Sequence, residues 1–230
     1  FNSAYHIYDC KIEAVYHKTL LPNYDVFDEY RYFEPNTAFK TFQVNGHVYG
    51  VAICEDLWNT ESNSLYTITP VEELKKLGAQ TIINIAASPF SYKQQEQRVS
   101  VLKENALKYK VNIVYCNHIG AQTELIFDGN SFFMNLSGKI VNQAESFKED
   151  LLFSNAMRTR VINENKMSLI HDALLLGIKD YFQKLGFKKA IVGLSGGIDS
   201  AVTFALAAQA LGSENVVGVL MPSEFSSDHS

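Results

Sequence analysis

The chain has 230 residues, 47% of them hydrophobic, enough for one large core or two smaller ones, and nothing in it reads as disordered. A net charge of −5 argues against a general binder of nucleic acid or of membranes, so an anionic ligand must be held by local donors. Three scattered cysteines (Cys10, Cys54, Cys116) exclude a disulfide framework and point to a reducing, cytoplasmic compartment, and no apolar run reaches membrane-span length.

Short β-rich runs and helical segments alternate through the first two thirds. Ala4–Tyr8 and Ile12–His17 read as a strand pair turning at Asp9-Cys10, and Phe42–Asn45 with Val48–Ile53 as a hairpin through Gly46. Glu72–Leu77 reads as a helix with Gly78 as its C′ residue. Thr81–Ile85 is a buried strand, and Gln94–Tyr109 an amphipathic helix with Val101, Leu102, Ala106 and Leu107 on its apolar side. Val111–Cys116 is a further strand, and Leu125–Asn135 with Ile140–Ala144 form a hairpin through Ser137-Gly138. From Lys148 to Asn165 the pattern is polar and irregular, as in a linker. A long helix follows, Asn165–Leu185, with Leu169, Ala173, Ile178 and Phe182 inward and Gly186 at its end. A strand (Ala190–Leu194), a helix (about Asp199–Leu211) and a second strand (Val216–Leu220) complete one βαβ unit. Such a unit cannot cover both faces of a parallel sheet. With the opening Phe1-Asn2-Ser3-Ala4, it reads as part of an internal piece of a longer polypeptide.

Three places carry chemistry. Ser195-Gly196-Gly197-Ile198-Asp199-Ser200 joins a buried strand to a helix. A glycine-rich turn there offers backbone N–H groups to an anion such as phosphate. Ser195 and Ser200 add hydroxyls, and Asp199 a carboxylate able to hold Mg²⁺. A tight turn with a capping Asp or Ser is the alternative reading. Cys54 ends the run Val51-Ala52-Ile53, where a turn exposes a nucleophile, yet taken alone it reads more readily as a buried structural cysteine. The adjacent Glu55 and Asp56 would raise a thiol pKa. Upstream, an aromatic segment carries Lys18, Glu29 and Arg31, which need partners if buried.

The hexapeptide resembles the PP-loop of the ATP pyrophosphatases, and Met221-Pro222-Ser223 resembles the loop after the second strand in their NAD⁺ synthetase branch. The segments around Lys18 and Cys54 resemble the nitrilase superfamily, in particular the glutaminase domain fused to NAD⁺ synthetases. That pairing implies an α/β chain: the C-terminal part of a nitrilase-like α-β-β-α sandwich (1–147), a linker (148–164), and the start of a Rossmann-like parallel-sheet PP-loop domain (165–230). It implies Cys54 as nucleophile, Lys18 as the catalytic lysine and Glu29 as a second glutamate. Tyr24, Glu55, Trp58, Ser88 and Lys93 would line the glutamine site, with Arg98 also in reach. Gln122–Gly129 matches a structural and interface segment. Ser195 to Ser200 would hold the pyrophosphate of ATP, with Mg²⁺ on Asp199. Glutamine, ATP and nicotinic acid adenine dinucleotide are the implied small-molecule partners, with no nucleic acid or membrane, and a homo-oligomer the implied assembly. The family's general-base glutamate precedes the lysine on a strand with no counterpart here, and Glu13 matches no motif for it. If the chain is complete, its glutaminase site should therefore be inactive. GMP and asparagine synthetases share the PP-loop but lack nitrilase-like glutaminases. A stand-alone amidase leaves Ser195–Ser200 unexplained, and an inert fragment is the remaining alternative.

Overall fold

A computed structural model describes residues 1–62, 64–153 and 165–221. Its centre is a six-stranded mixed sheet. In chain order its strands are β3 (Thr41–Val44), β4 (His47–Ile53), β5 (Thr81–Ala86), β6 (Asn112–Asn117), β9 (Phe132–Met134) and β10 (Ile140–Gln143). Spatially they run β10-β9-β6-β5-β4-β3, with β4, β5 and β6 parallel and the flanking pairs antiparallel. The parallel strands are joined through helices α1 (Pro70–Lys76) and α2 (Gln94–Tyr109). The core, including Ala52, Leu57, Val71, Ile82, Leu102 and Ile113, lies between these helices and the sheet. Its burial supplies the main driving force.

Two hairpins stand outside that sheet: β1 (Ser3–Tyr8) with β2 (Lys11–His17), and β7 (Ile119–Gln122) with β8 (Leu125–Asp128). The second corrects the expected continuous strand Leu125–Asn135. Gly129 (φ 63°) and Asn130 (φ 52°) both adopt left-handed backbone, which no strand continues through, so β8 and β9 join different sheets. Leu107, expected on the apolar side of α2, is 38% exposed.

α3 (Lys166–Leu185) begins at Asn165, whose side chain accepts the Met167 N–H at 2.8 Å, and ends at Gly186 (φ 73°). Among the expected inward residues, Ala173 is buried and Leu169, Ile178 and Phe182 are half-buried. β11 (Ala190–Leu194) and β12 (Val216–Leu220) pair in parallel, joined by α4 (Ile198–Leu211). The linker from 154 to 164, and the expected loop from Pro222 on, lie outside the described residues. No described helix is long and apolar enough to cross a membrane.

Candidate active site

The parallel strand β4 runs out of the core directly into Cys54, and there the chain turns sharply. Cys54 has φ 45°, in the left-handed region that a side chain other than glycine's rarely adopts, and it opens a short 3-10 turn, Cys54–Leu57. Such strain persists only where the surroundings over-determine it. Here they do. The fully buried Asn84 amide donates to the carbonyls of Ala52 (3.3 Å) and Cys54 (3.4 Å). Asp56, also buried, accepts the N–H groups of Ile53 (2.9 Å), Thr19 (2.9 Å) and Leu20 (2.8 Å). One carboxylate thus closes the turn under the thiol and fastens the Lys18 segment to it. Burial nevertheless pushes Asp56 up to about 6 against these donors.

Lys18 is 1% exposed and its Nζ lies 2.5 Å from Glu29 Oε1. The Glu29 N–H donates to Pro22 O at 2.9 Å, which folds the aromatic segment back over the lysine. Cys54 opens partly to the cavity but is otherwise ringed by protein. Burial pushes its thiol above the ordinary value, while the Lys18 charge and the Ala87 backbone pull the other way. Glu55 and Glu29 push it further up, the sign expected of acids beside a thiol. The resting thiol is therefore protonated and needs a base as it attacks.

The thiol faces a cavity of about 770 Å³ whose lining includes Tyr24, Glu55, Trp58, Ser88, Gln94 and Gln97. Glu55 is held by two phenols, Tyr24 (2.7 Å) and Tyr66 (3.1 Å). Burial raises its pKa, the two hydroxyls offset this in part, and both phenols are themselves pushed up, first by burial. Ser88 is clamped through every polar atom: its N–H donates to Asn117 Oδ1 (2.9 Å), and Arg98 reaches its Oγ (3.2 Å) and carbonyl (3.3 Å). Arg98 is 1% exposed and forks onto Asp128 at 3.0 and 2.8 Å, so it organises the loop and is absent from the cavity lining. Lys93 is exposed, its ammonium 5.6 Å from the centre of the Tyr92 ring, and is absent from the lining too. Tyr66, Gln94 and Gln97 escaped the sequence reading. Tyr66 sits in a polar loop with no motif, and the glutamines need only the placement of the first turns of α2. Glu13 is exposed on β2, and no described contact links it to Cys54.

The second site is local. β11 ends at Leu194, Gly196 takes φ 84°, and Gly197 caps α4. Ser200 Oγ donates to Gly197 O (2.9 Å) and lies 3.4 Å from Ser195 Oγ. Leu194 to Gly197, Ser200, Ala201, Leu220 and Met221 line a cavity of about 270 Å³ at the α4 N-terminus. A side chain at Gly197 would occupy that space, its Cβ meeting only Ser195 Oγ at 3.7 Å. Ile198 is 74% exposed and Asp199 exposed, and neither lines the cavity. Among the described residues no group of three His, Cys, Asp or Glu side chains could hold a metal alone.

Residues 1–162 match the carbon–nitrogen hydrolase family, and residues 170–230 match NAD synthase. A glutamine-dependent NAD(+) synthetase of Synechocystis sp. is 42% identical over 242 residues, covering 100% of this chain and 43% of the relative. One from Acinetobacter baylyi is 40% identical, covering 99% and 42%. The chain therefore spans less than half the length of these curated relatives. The solved structure of a glutamine-dependent NAD+ synthetase from Acinetobacter baumannii with ADP superposes with a TM-score of 0.91 at 38% identity, covering 100% of this chain and 44% of that one. A carbon–nitrogen hydrolase from Helicobacter pylori shares the fold at TM-score 0.53 and 23% identity, over 62% of this chain and 51% of that one.

Proposed function

The chain belongs to the carbon–nitrogen hydrolase family, and from that premise we propose that it carries the glutaminase nucleophile and the ATP loop of a glutamine-dependent NAD⁺ synthetase. The observation that supports this best is Cys54, held on left-handed backbone at the wall of a cavity of about 770 Å³, with the Lys18 charge acting on its thiol. The proposed division is 1–147 for the glutaminase part, 148–164 for the linker and 165–230 for the start of the synthetase part.

Glutamine enters with its side-chain amide at Cys54. Glu55, kept among Tyr24 and Tyr66, takes the substrate's ammonium, and Trp58 and Ser88 bound the pocket. Sulfur adds to the amide carbon as its proton passes to a base, which the family resemblance places on a glutamate preceding Lys18. Lys18 stabilises the negative oxygen. The C–N bond breaks, ammonia leaves with the returned proton, and water cleaves the thioester to glutamate. Lys93 stays outside this mechanism.

At the second site the Ser195–Ser200 turn binds the pyrophosphate of ATP on the α4 N-terminus. The substrate carboxylate of nicotinic acid adenine dinucleotide attacks the α-phosphorus and releases pyrophosphate. Ammonia then displaces AMP and leaves NAD⁺. Asp199, a single exposed carboxylate, would hold Mg²⁺ only together with the phosphates of ATP, and the ion would supply neutralisation of their charge there.

The test is NAD⁺ formation by the intact protein from nicotinic acid adenine dinucleotide and Mg-ATP, with glutamine or ammonia as donor, for wild type and Cys54→Ala. Loss of glutamine use by at least about 10³-fold with ammonia use retained is expected. Equal loss with both donors, or none with either, rejects the assignment of Cys54.

A further inference from the structure

The hairpin β7–β8 is gripped along both outer edges, by two different parts of the molecule. Ala121 and Ile126 lie opposite each other across it. In an antiparallel pair, facing residues alternate between bonding each other and turning both backbone groups outward. These two are of the outward kind. Ala121 gives its N–H to Asp180 Oδ2 at 2.7 Å, and its carbonyl receives the Lys184 ammonium, both from α3. The Ile126 carbonyl receives the Phe90 N–H at 2.6 Å. α3 reaches the hairpin because Gly177 crosses Ile126, where even a Cβ would stand 3.2 Å from the Ile126 Cδ1.

The loop on the far edge is the one beside the thiol. Ser88, Pro89 and Phe90 line the same cavity as Cys54, the Ala87 backbone pulls the thiol pKa down, and Phe90 is held by Ile126. Two residues beyond Ile126, Asp128 holds the Arg98 fork, whose other bonds fix Ser88 and the Pro89 carbonyl. Leu125, also on β8, lines the cavity itself. The hairpin thus carries an unbroken set of hydrogen bonds from α3 to the loop at the nucleophile.

We propose that Asp180 is a positioning residue for the Cys54 site: by gripping Ala121 it fixes the hairpin, and the hairpin fixes the Ala87–Phe90 loop against the thiol and the cavity. This rests on Cys54 being the glutaminase nucleophile. Asp180 touches neither substrate nor thiol, so its removal changes geometry and leaves the chemistry of the reacting groups intact. Small displacements of such supports cost large factors in rate.

In the intact protein, Asp180→Ala is expected to raise the KM for glutamine about tenfold and to slow alkylation of Cys54 by a diazoketone analogue of glutamine by a similar factor. Its ammonia-dependent rate stays within about twofold. Asp180→Asn, which keeps an acceptor for the Ala121 N–H, restores most of the loss. Lys184→Met removes the second grip and moves both readouts the same way by less. It also serves as the comparison if Asp180→Ala does not fold. Unchanged KM and alkylation in these variants overturn the proposal. So does a loss shared equally by the ammonia reaction, or an Asn variant as impaired as Ala. A wild-type protein that neither hydrolyses glutamine nor is alkylated at Cys54 instead overturns the glutaminase reading on which the proposal rests.

Discussion

Around Cys54, each functional group is held by residues distant in sequence. Asp56 bonds Thr19 and Leu20, Tyr24 bonds Glu55, and Arg98 spans from Ser88 to Asp128. The Ser195–Ser200 loop closes on itself instead: Ser200 bonds Gly197, and Thr203 bonds the Asp199 carbonyl at 2.8 Å. One site is an agreement among many segments and is buried. The other is a single strand–turn–helix and is exposed. Thiol chemistry needs a base or a cation that favours the thiolate, and excluded water, which only surrounding structure supplies. Phosphate binding needs free amides at a helix start, which six consecutive residues supply.

The contrast breaks if a change near Cys54 proves cheap. Arg98→Met leaves Asp128 buried without its cation, so urea unfolding should show a loss of about 3–5 kcal/mol. A loss under about 1 kcal/mol would mean that the loop at Ser88 does not depend on the fork. Lys18→Met sharpens the electrostatic half. Lys18 lowers the Cys54 pKa, so its removal moves the pH midpoint of Cys54 alkylation upward and slows the reaction at neutral pH. A midpoint that stays or falls would show that burial alone governs the thiol. The smallest effect is expected in the loop. Gly196→Ala puts a Cβ on backbone at φ 84°, costing about 1–2 kcal/mol in thermal unfolding of the segment that carries it. Glutamine hydrolysis should be untouched, and equal damage to both reactions would deny the loop its independence.

The same contrast governs what could be read from the sequence. The turn at 195–200 and the strand running into Cys54 are contiguous patterns, and they fold as expected. The α3 boundaries, set by Asn165 and Gly186, are equally legible, because caps are local chemistry. Tyr66 on Glu55 was invisible, since nothing in a polar loop tells which phenol returns to which carboxylate. Arg98 and Lys93 both stood near the right place. Only the fold separates the buried fork on Asp128 from the exposed ammonium over Tyr92. The split of Leu125–Asn135 turned on two consecutive left-handed residues. Gly129 and Asn130 are both residue types that tolerate that conformation, but tolerance is not demand, and only the tertiary structure shows that both adopt it here.

The left-handed backbone at Cys54 sets folding and chemistry against each other at one residue. Any side chain there costs about 1–3 kcal/mol that glycine would not. The residue best for the fold at this place is therefore the one that abolishes the nucleophile. A chain freed from the need to react would become more stable by taking glycine, so a cysteine held in that conformation marks stability given up for reactivity.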